Sequence, residues 1–201
     1  YWLYSFSVKP FAWLQRLLLA MIAATGIVFV AMVSLAYSVD TIITWSLPTV
    51  PISLWLNALM GGPLLAAITL YAAQWRALAG RFGLLLMTVP FIALAANAAV
   101  YIVQGRLLGG VTNSVVAAAD LVPHYHTMLL AFALMCFAGC VLAAFTMHVV
   151  SREAAAHGGG ELAFSKRVLV RLLVSCLLVF AGVFVMRFAF YMMHLTVGLA
   201  V

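Results

Sequence analysis

Acidic side chains are nearly absent from this sequence: its 201 residues contain four, against ten Lys and Arg. Soluble domains carry about 25% charged residues, and this chain has 7%, with 68% hydrophobic. That composition excludes a soluble fold. Cysteine is equally sparse. Cys136, Cys140 and Cys176 lie inside apolar runs and form no Cys-x-x-Cys, so neither a disulfide framework nor an iron–sulfur cluster is expected. Cys136 and Cys140 share one helix face and read as small packing residues. The alternation over about 10 residues that marks a membrane β-barrel strand is also missing.

The chain instead has five long apolar runs, near 17–36, 52–74, 84–103, 127–150 and 168–191. A bilayer's hydrocarbon core needs about 20 apolar residues per helix, and lipid offers the backbone no hydrogen-bond partner. The expected fold is all-α, a polytopic transmembrane bundle of five spanning helices forming a single domain over 1–201. Residues 1–8 read like the last turns of an earlier helix, which predicts the C-terminal part of a longer protein.

The net charge of +6 does not point to nucleic acid, because the basic residues sit at helix ends. Lys9, Arg16, Arg76, Arg81, Arg152, Lys166 and Arg167 flank one set of helix ends, with Arg171 a turn further in and only Glu153 and Glu161 opposing them. The positive-inside bias makes that side cytoplasmic and leaves the C-terminus outside.

Polar groups inside the apolar runs cluster toward the opposite, outer side. Arg or Asp at mid-helix costs about 2.5–3.5 kcal/mol on insertion scales, so such groups face a protein interior or a site. Asn57 and Asn97 lie in the outer halves of their helices, with Gln104 and Arg106 at the exit of the third run. Asp120, His124 and His126 open the fourth, and Arg187, Tyr191 and His194 close the fifth. The inner half holds little beyond Gln74 and His148. Arg187, Tyr191 and His194 are spaced i, i+4, i+7, which puts a cation, a phenol and an imidazole within an arc of roughly 60°. That stripe suits one small ligand, although Arg187 snorkelling and Tyr191 in an aromatic belt fit each residue singly. His124 and His126, two apart, point to opposite sides of a helix, so at most one serves a given ligand. Asp40 and Asp120 suit proton release near the surface and equally suit turns or caps.

Gly61-Gly62-Pro63 predicts a kink in the second helix and a close backbone approach by a neighbour. His157-Gly158-Gly159-Gly160 mimics a lipase oxyanion motif, but no G-x-S-x-G elbow accompanies it. Bis-histidine haem would need His124 or His126 facing His194, all near the surface, so haem is not expected and no metal site is assigned. A transporter or ion-translocating subunit would want ionisable residues through the full membrane depth. It and a purely structural anchor are the competing classes.

Several short motifs occur in a fixed order: Ser38-Val39-Asp40-Thr41 with Thr44-Trp45; Met60-Gly61-Gly62-Pro63-Leu64-Leu65; Val103-Gln104-Gly105; Leu121-Val122-Pro123-His124-Tyr125; and Arg187, Tyr191 and His194-Leu195-Thr196-Val197-Gly198. Together they resemble the membrane anchor subunit of dimethyl sulfoxide reductase, the DmsC family related to NrfD-type anchors. The resemblance implies an eight-helix, haem-free anchor of the bacterial inner membrane, of which this chain matches the last five helices. It implies menaquinol or ubiquinol as bound substrate, a four-cluster iron–sulfur subunit as electron acceptor and a molybdopterin catalytic subunit beyond it. That family's best-known quinol-site histidine and glutamate lie in earlier helices, so only part of a quinol pocket is expected here. The roles then expected are quinol binding for Arg187, Tyr191, His194, His124, Asn57 and Asn97. Asp120 and Asp40 are expected to relay protons, with His124 beside them. Gln104 and Arg106 are expected to contact the partner or the headgroup.

Overall fold

The computed structural model describes residues 11–156 and 164–197. Residues 1–8, Lys9, His157 to Gly160, Glu161 and Gly198 lie outside that range, so the readings made on them are not addressed by the structure.

Five helices are long and apolar enough to cross a membrane: α1 (Ala12–Tyr37), α2 (Thr49–Ala72), α3 (Arg81–Leu108), α5 (Tyr125–Ala156) and α6 (Lys166–Met192). The chain is a multi-pass membrane protein. A single turn, α4 (Ala118–Leu121), precedes α5, and a 3₁₀ turn over Arg76–Ala79 precedes α3. The helices extend past the apolar runs at every end but that of α2, which stops short at Ala72, because a helix carries its hydrogen bonds into the interfacial layers where the sequence is already polar. Large exposed apolar side chains, among them Leu85, Ile92, Leu177 and Phe184, mark the lipid-facing surface.

α5 and α6 form the most extensive helix pair. Small residues set their separation. A Cβ on Gly139 would lie 2.7 Å from the Ser175 carbonyl oxygen, and one on Gly182 would lie 2.6 Å from Cys136 Sγ. Without hydrophobic driving force between helices in lipid, such close packing is what holds the pair. Cys136, Cys140 and Cys176 are buried free thiols in this seam.

The close backbone approach expected at Gly61-Gly62 needs correction. α2 stays helical through Pro63, and no backbone comes against the glycine pair. Gly61 faces the Phe180 ring of α6, whose Cε1 would lie 3.0 Å from an added Cβ, and Gly62 has nothing within 4 Å. Steric room at one glycine is decided by its angular position on the helix, and the two differ by about 100°.

α1 stands at the edge. Among its residues only Ser34 is buried, and its main neighbour is α2. The connection after it is firmly tied. Ile43 N–H donates to Leu195 O (3.0 Å) and Val197 N–H to Thr41 O (3.2 Å), while the Thr44 hydroxyl donates to Met193 O. Asn113 from the α3–α4 connection donates its side-chain amide to Thr196 O (3.2 Å). The same side chain accepts Val115 N–H (2.9 Å) and Val116 N–H (2.8 Å), closing its own turn. Two connections and the segment that follows α6 are thus knitted together at one end, the site end. The other carries most of the arginines.

Candidate functional site

The last turns of α6 bring Arg187 and Tyr191 to the site end, and His194 follows just past the helix. Arg187 and Tyr191 share one face of α6, but the helix ends at Met192, so His194 is not part of a helical stripe; aromatic residues of other segments contact all three. Tyr37, the last residue of α1, shares a 2.8 Å hydroxyl–hydroxyl hydrogen bond with Tyr191. The Arg187 guanidinium carbon lies 5.6 Å from the centre of the Tyr37 ring and 5.4 Å from that of Phe190. Both rings thus present π faces to the cation, an attraction that strengthens as water is removed. Trp45 stacks on Phe190 with centroids 5.0 Å apart and meets Tyr191 and His194 edge-on at 6.1 and 5.2 Å. Its indole N–H points at Phe190 O (3.4 Å). Tyr191 and His194 are exposed and Arg187 half-buried, so the assembly is a rigid aromatic frame with one polar edge open.

Deeper toward the bundle interior runs a second polar group. Asn97, fully buried, donates from Nδ2 to Asn57 Oδ1 (2.8 Å), and Asn57 Nδ2 donates to the Tyr101 hydroxyl (3.3 Å). Asn97 Oδ1 is buried without a partner. Tyr101 packs edge-on against Phe132 (5.2 Å), and its carbonyl accepts the Tyr125 hydroxyl (2.8 Å).

Not every candidate joins them. Gln104 is 2% exposed, with its amide directed at Met193 Sδ (3.4 Å). It is an interior residue, which removes it from any docking surface. α3 continues to Leu108, and Gln104 falls on the helix face that carries Asn97 and Tyr101 inward. Arg106 is exposed. Asp40, Asp120, His124 and His126 are exposed too, and among the described residues none is hydrogen-bonded to either polar group. Among the described residues no three His, Cys, Asp or Glu side chains gather closely enough to hold a metal.

An apolar groove of about 350 Å³ opens between α2 and α3 at the same end, lined by Pro48, Thr49, Ile52, Val100, Val103 and Leu107. Four of the ordered sequence motifs also meet there. Gly105 lies against the Tyr125 ring, Gln104 against Met193, Thr44 against Met193 and Leu195, and Trp45 against the end of α6.

The sequence profile of the DMSO reductase anchor subunit family (DmsC) matches residues 1–193. The chain belongs to this family. It is 30% identical over 206 residues to the anaerobic dimethyl sulfoxide reductase chain YnfH of Escherichia coli (strain K12). It is 32% identical over 202 residues to the C subunit of anaerobic dimethyl sulfoxide reductase from the same organism. Both alignments cover the whole chain and 64% of the relative, so the DmsC-family chain spans just under two thirds of each relative's length. No solved structure matches it.

Tyr37, Tyr101 and Tyr125, which bond to the two polar groups, were not among the sequence candidates. Tyr101 had a signal, one turn beyond Asn97 on the same face of α3, whereas nothing in the sequence sets Tyr37 against Tyr191.

Proposed function

We propose that this chain is part of the membrane anchor of a molybdopterin oxidoreductase and forms part of the site where menaquinol or ubiquinol is oxidised. Its electrons pass to a four-cluster iron–sulfur subunit and from there to the molybdopterin subunit. The observation that carries this reading is the single open-edged frame at one membrane face, in which Arg187, Tyr191 and His194 are held by Tyr37, Trp45 and Phe190.

A quinol becoming a quinone loses two electrons and two protons. A flat ring suits the aromatic frame, where offset and edge-on ring contacts are favourable. Arg187 would steady negative charge on the quinol oxygen as its proton leaves, because a cation in a poorly hydrated site interacts strongly with an anion. The Tyr191 hydroxyl orients the ring oxygen, with Tyr37 behind it. His194 accepts a proton from the quinol oxygen. Asp40, Asp120 and His124 carry protons on to the water phase. Asn57 and Asn97, with Tyr101, supply the buried polar side of the site, and the groove beside Thr49 and Val103 takes the apolar tail. Arg106, exposed at the same face, contacts the soluble partner. In this reading the protein sits in a bacterial inner membrane, with the arginine-rich end inside and the C-terminus outside.

The test uses the whole complex with two electron donors. In Arg187→Gln, turnover driven by quinol should fall on the order of tenfold or more, the scale of a lost charged hydrogen bond. Turnover driven by a soluble dye that feeds the catalytic subunit directly should persist. Equal rates with quinol in variant and parent would reduce the chain to a structural anchor.

A further inference from the structure

Among the described residues, two buried side-chain polar atoms have no hydrogen-bond partner: Thr49 Oγ1 and Asn97 Oδ1. Both belong to the interface of α2 and α3. α3 carries Asn97, Tyr101 and Gln104 at i, i+4 and i+7, within an arc of roughly 60°. α2 carries Thr49, Ser53 and Asn57 at i, i+4 and i+8, within about 80°. All of these but Asn57 are buried. Consecutive spans run in opposite directions, so Thr49 and Gln104 lie toward the site end. Asn57 is then about 12 Å deeper than Thr49 by helical rise, level with Asn97. Thr49 borders the open groove and can be met from outside. Asn97 is 0% exposed and cannot. An amide atom left bare there finds no partner in lipid, and leaving it unsatisfied costs more than an ordinary hydrogen bond gains.

The network that Asn97 terminates works in either of two senses. Asn97 Nδ2 donates to Asn57 Oδ1 (2.8 Å), and Asn57 Nδ2 donates to the Tyr101 hydroxyl (3.3 Å). Turning both amides over reverses the chain, because an amide then exchanges donor and acceptor while keeping its shape. Tyr101 donates to Asn57, and Asn57 to Asn97. In the first sense Asn97 is left with a spare acceptor, and in the second with spare donors. A cation suits only the first and an anion only the second. A water molecule suits both. The surroundings are also close: Met60 Sδ lies 3.9 Å from Asn97 Nδ2, and the Tyr101 ring packs edge-on against Phe132 (5.2 Å). Internal waters make about two to four hydrogen bonds to such polar groups. In the first sense Asn57 Oδ1 keeps a second lone pair and the Tyr101 hydroxyl its own hydrogen, so partners beyond Asn97 are at hand.

We propose that an internal water molecule is bound by Asn97 at the α2–α3 interface and shared with Asn57 and Tyr101. With it in place, reversing the network moves no heavy atom out of position, and Tyr101 presents its hydroxyl as donor or as acceptor. The resting protein holds this water whether or not a quinol binds at the aromatic frame.

The test is hydroxyl-radical footprinting of the purified complex by X-ray radiolysis in quinone-free nanodiscs, read by peptide mass spectrometry. Radiolysis of a bound water makes the radical in place, so a buried side chain beside it is oxidised. Met60 and Met147 are both 0% exposed, and of the two Met60 adjoins Asn97. Met60 should form its sulfoxide clearly faster than Met147. Asn97→Leu, of similar size without polar atoms, should bring Met60 down to the Met147 rate. Three results would each overturn the proposal. Equal rates in the parent would mean that no water is held there, and that comparison needs no variant to fold. A Met60 excess that survives in Asn97→Leu would mean that water reaches Met60 without Asn97. Loss of the excess on adding quinone would mean that the ring itself takes the place at Asn97.

Discussion

Tyr37 and Tyr191, 154 residues apart, share a 2.8 Å hydroxyl–hydroxyl hydrogen bond that fastens the free-standing α1 to the end of α6. α1 buries little else, so this bond and the Thr44 tether carry much of its registration. Tyr37→Phe and Tyr191→Phe should each lower stability by about 1 kcal/mol. The double variant should be no worse than either single one, because both remove the same bond. Thermal unfolding of the three variants measures that coupling, and strictly additive losses would refute it.

Arg187 lies over two ring faces, and a planar guanidinium does this better than a compact ammonium. Arg187→Lys should therefore retain charge yet recover only part of the parent quinol turnover, ranking between Arg187 and Arg187→Gln. Steady-state rates with quinol as donor check the order.

The Thr44 hydroxyl both donates to Met193 O and accepts Leu195 N–H. Thr44→Val keeps the shape and removes both bonds. Amide exchange of Ile43 and Val197, whose N–H groups pair the two segments, should then accelerate while that of α5 stays unchanged.

Glycine positions give a contrast within one protein. Gly139→Ala would place a methyl 2.7 Å from a backbone oxygen of α6, and should cost about 1–3 kcal/mol by forcing the two helices apart. Gly62→Ala meets nothing within 4 Å and should be neutral or stabilising by up to about 1 kcal/mol. Melting temperatures of the two variants should move in opposite directions or differ clearly in size.

The spans were legible because lipid imposes a length and an apolar composition that few other environments demand. Arg187 and Tyr191 were legible as one face for a similar reason: helical periodicity is local and fixes which residues share a face, whereas His194 falls past the end of α6, where that periodicity no longer applies. Contacts between helices follow no such rule. Tyr37 meeting Tyr191, or Asn97 meeting Asn57, depends on the relative depth and rotation of two helices, and neither leaves a periodic trace. The same gap explains the Gly61-Gly62 reading. A glycine pair is conspicuous in sequence, whereas the isolated Gly139 and Gly182 are the ones that face a neighbouring helix closely. Gln104 looked like a helix exit because its run of apolar residues ends there, but α3 continues a full turn further and rotates it inward.

In the proposed function a quinol ring binds at the Tyr37–Trp45–Arg187–Tyr191–His194 frame. Photolabelling of the intact complex with an azidoquinone, followed by peptide mass spectrometry, tests it most directly. Label on peptides spanning 37–45 and 187–194, suppressed by excess unlabelled quinone, is the predicted result. Label confined to the arginine-rich end of the bundle, or absent from this protein, would contradict it.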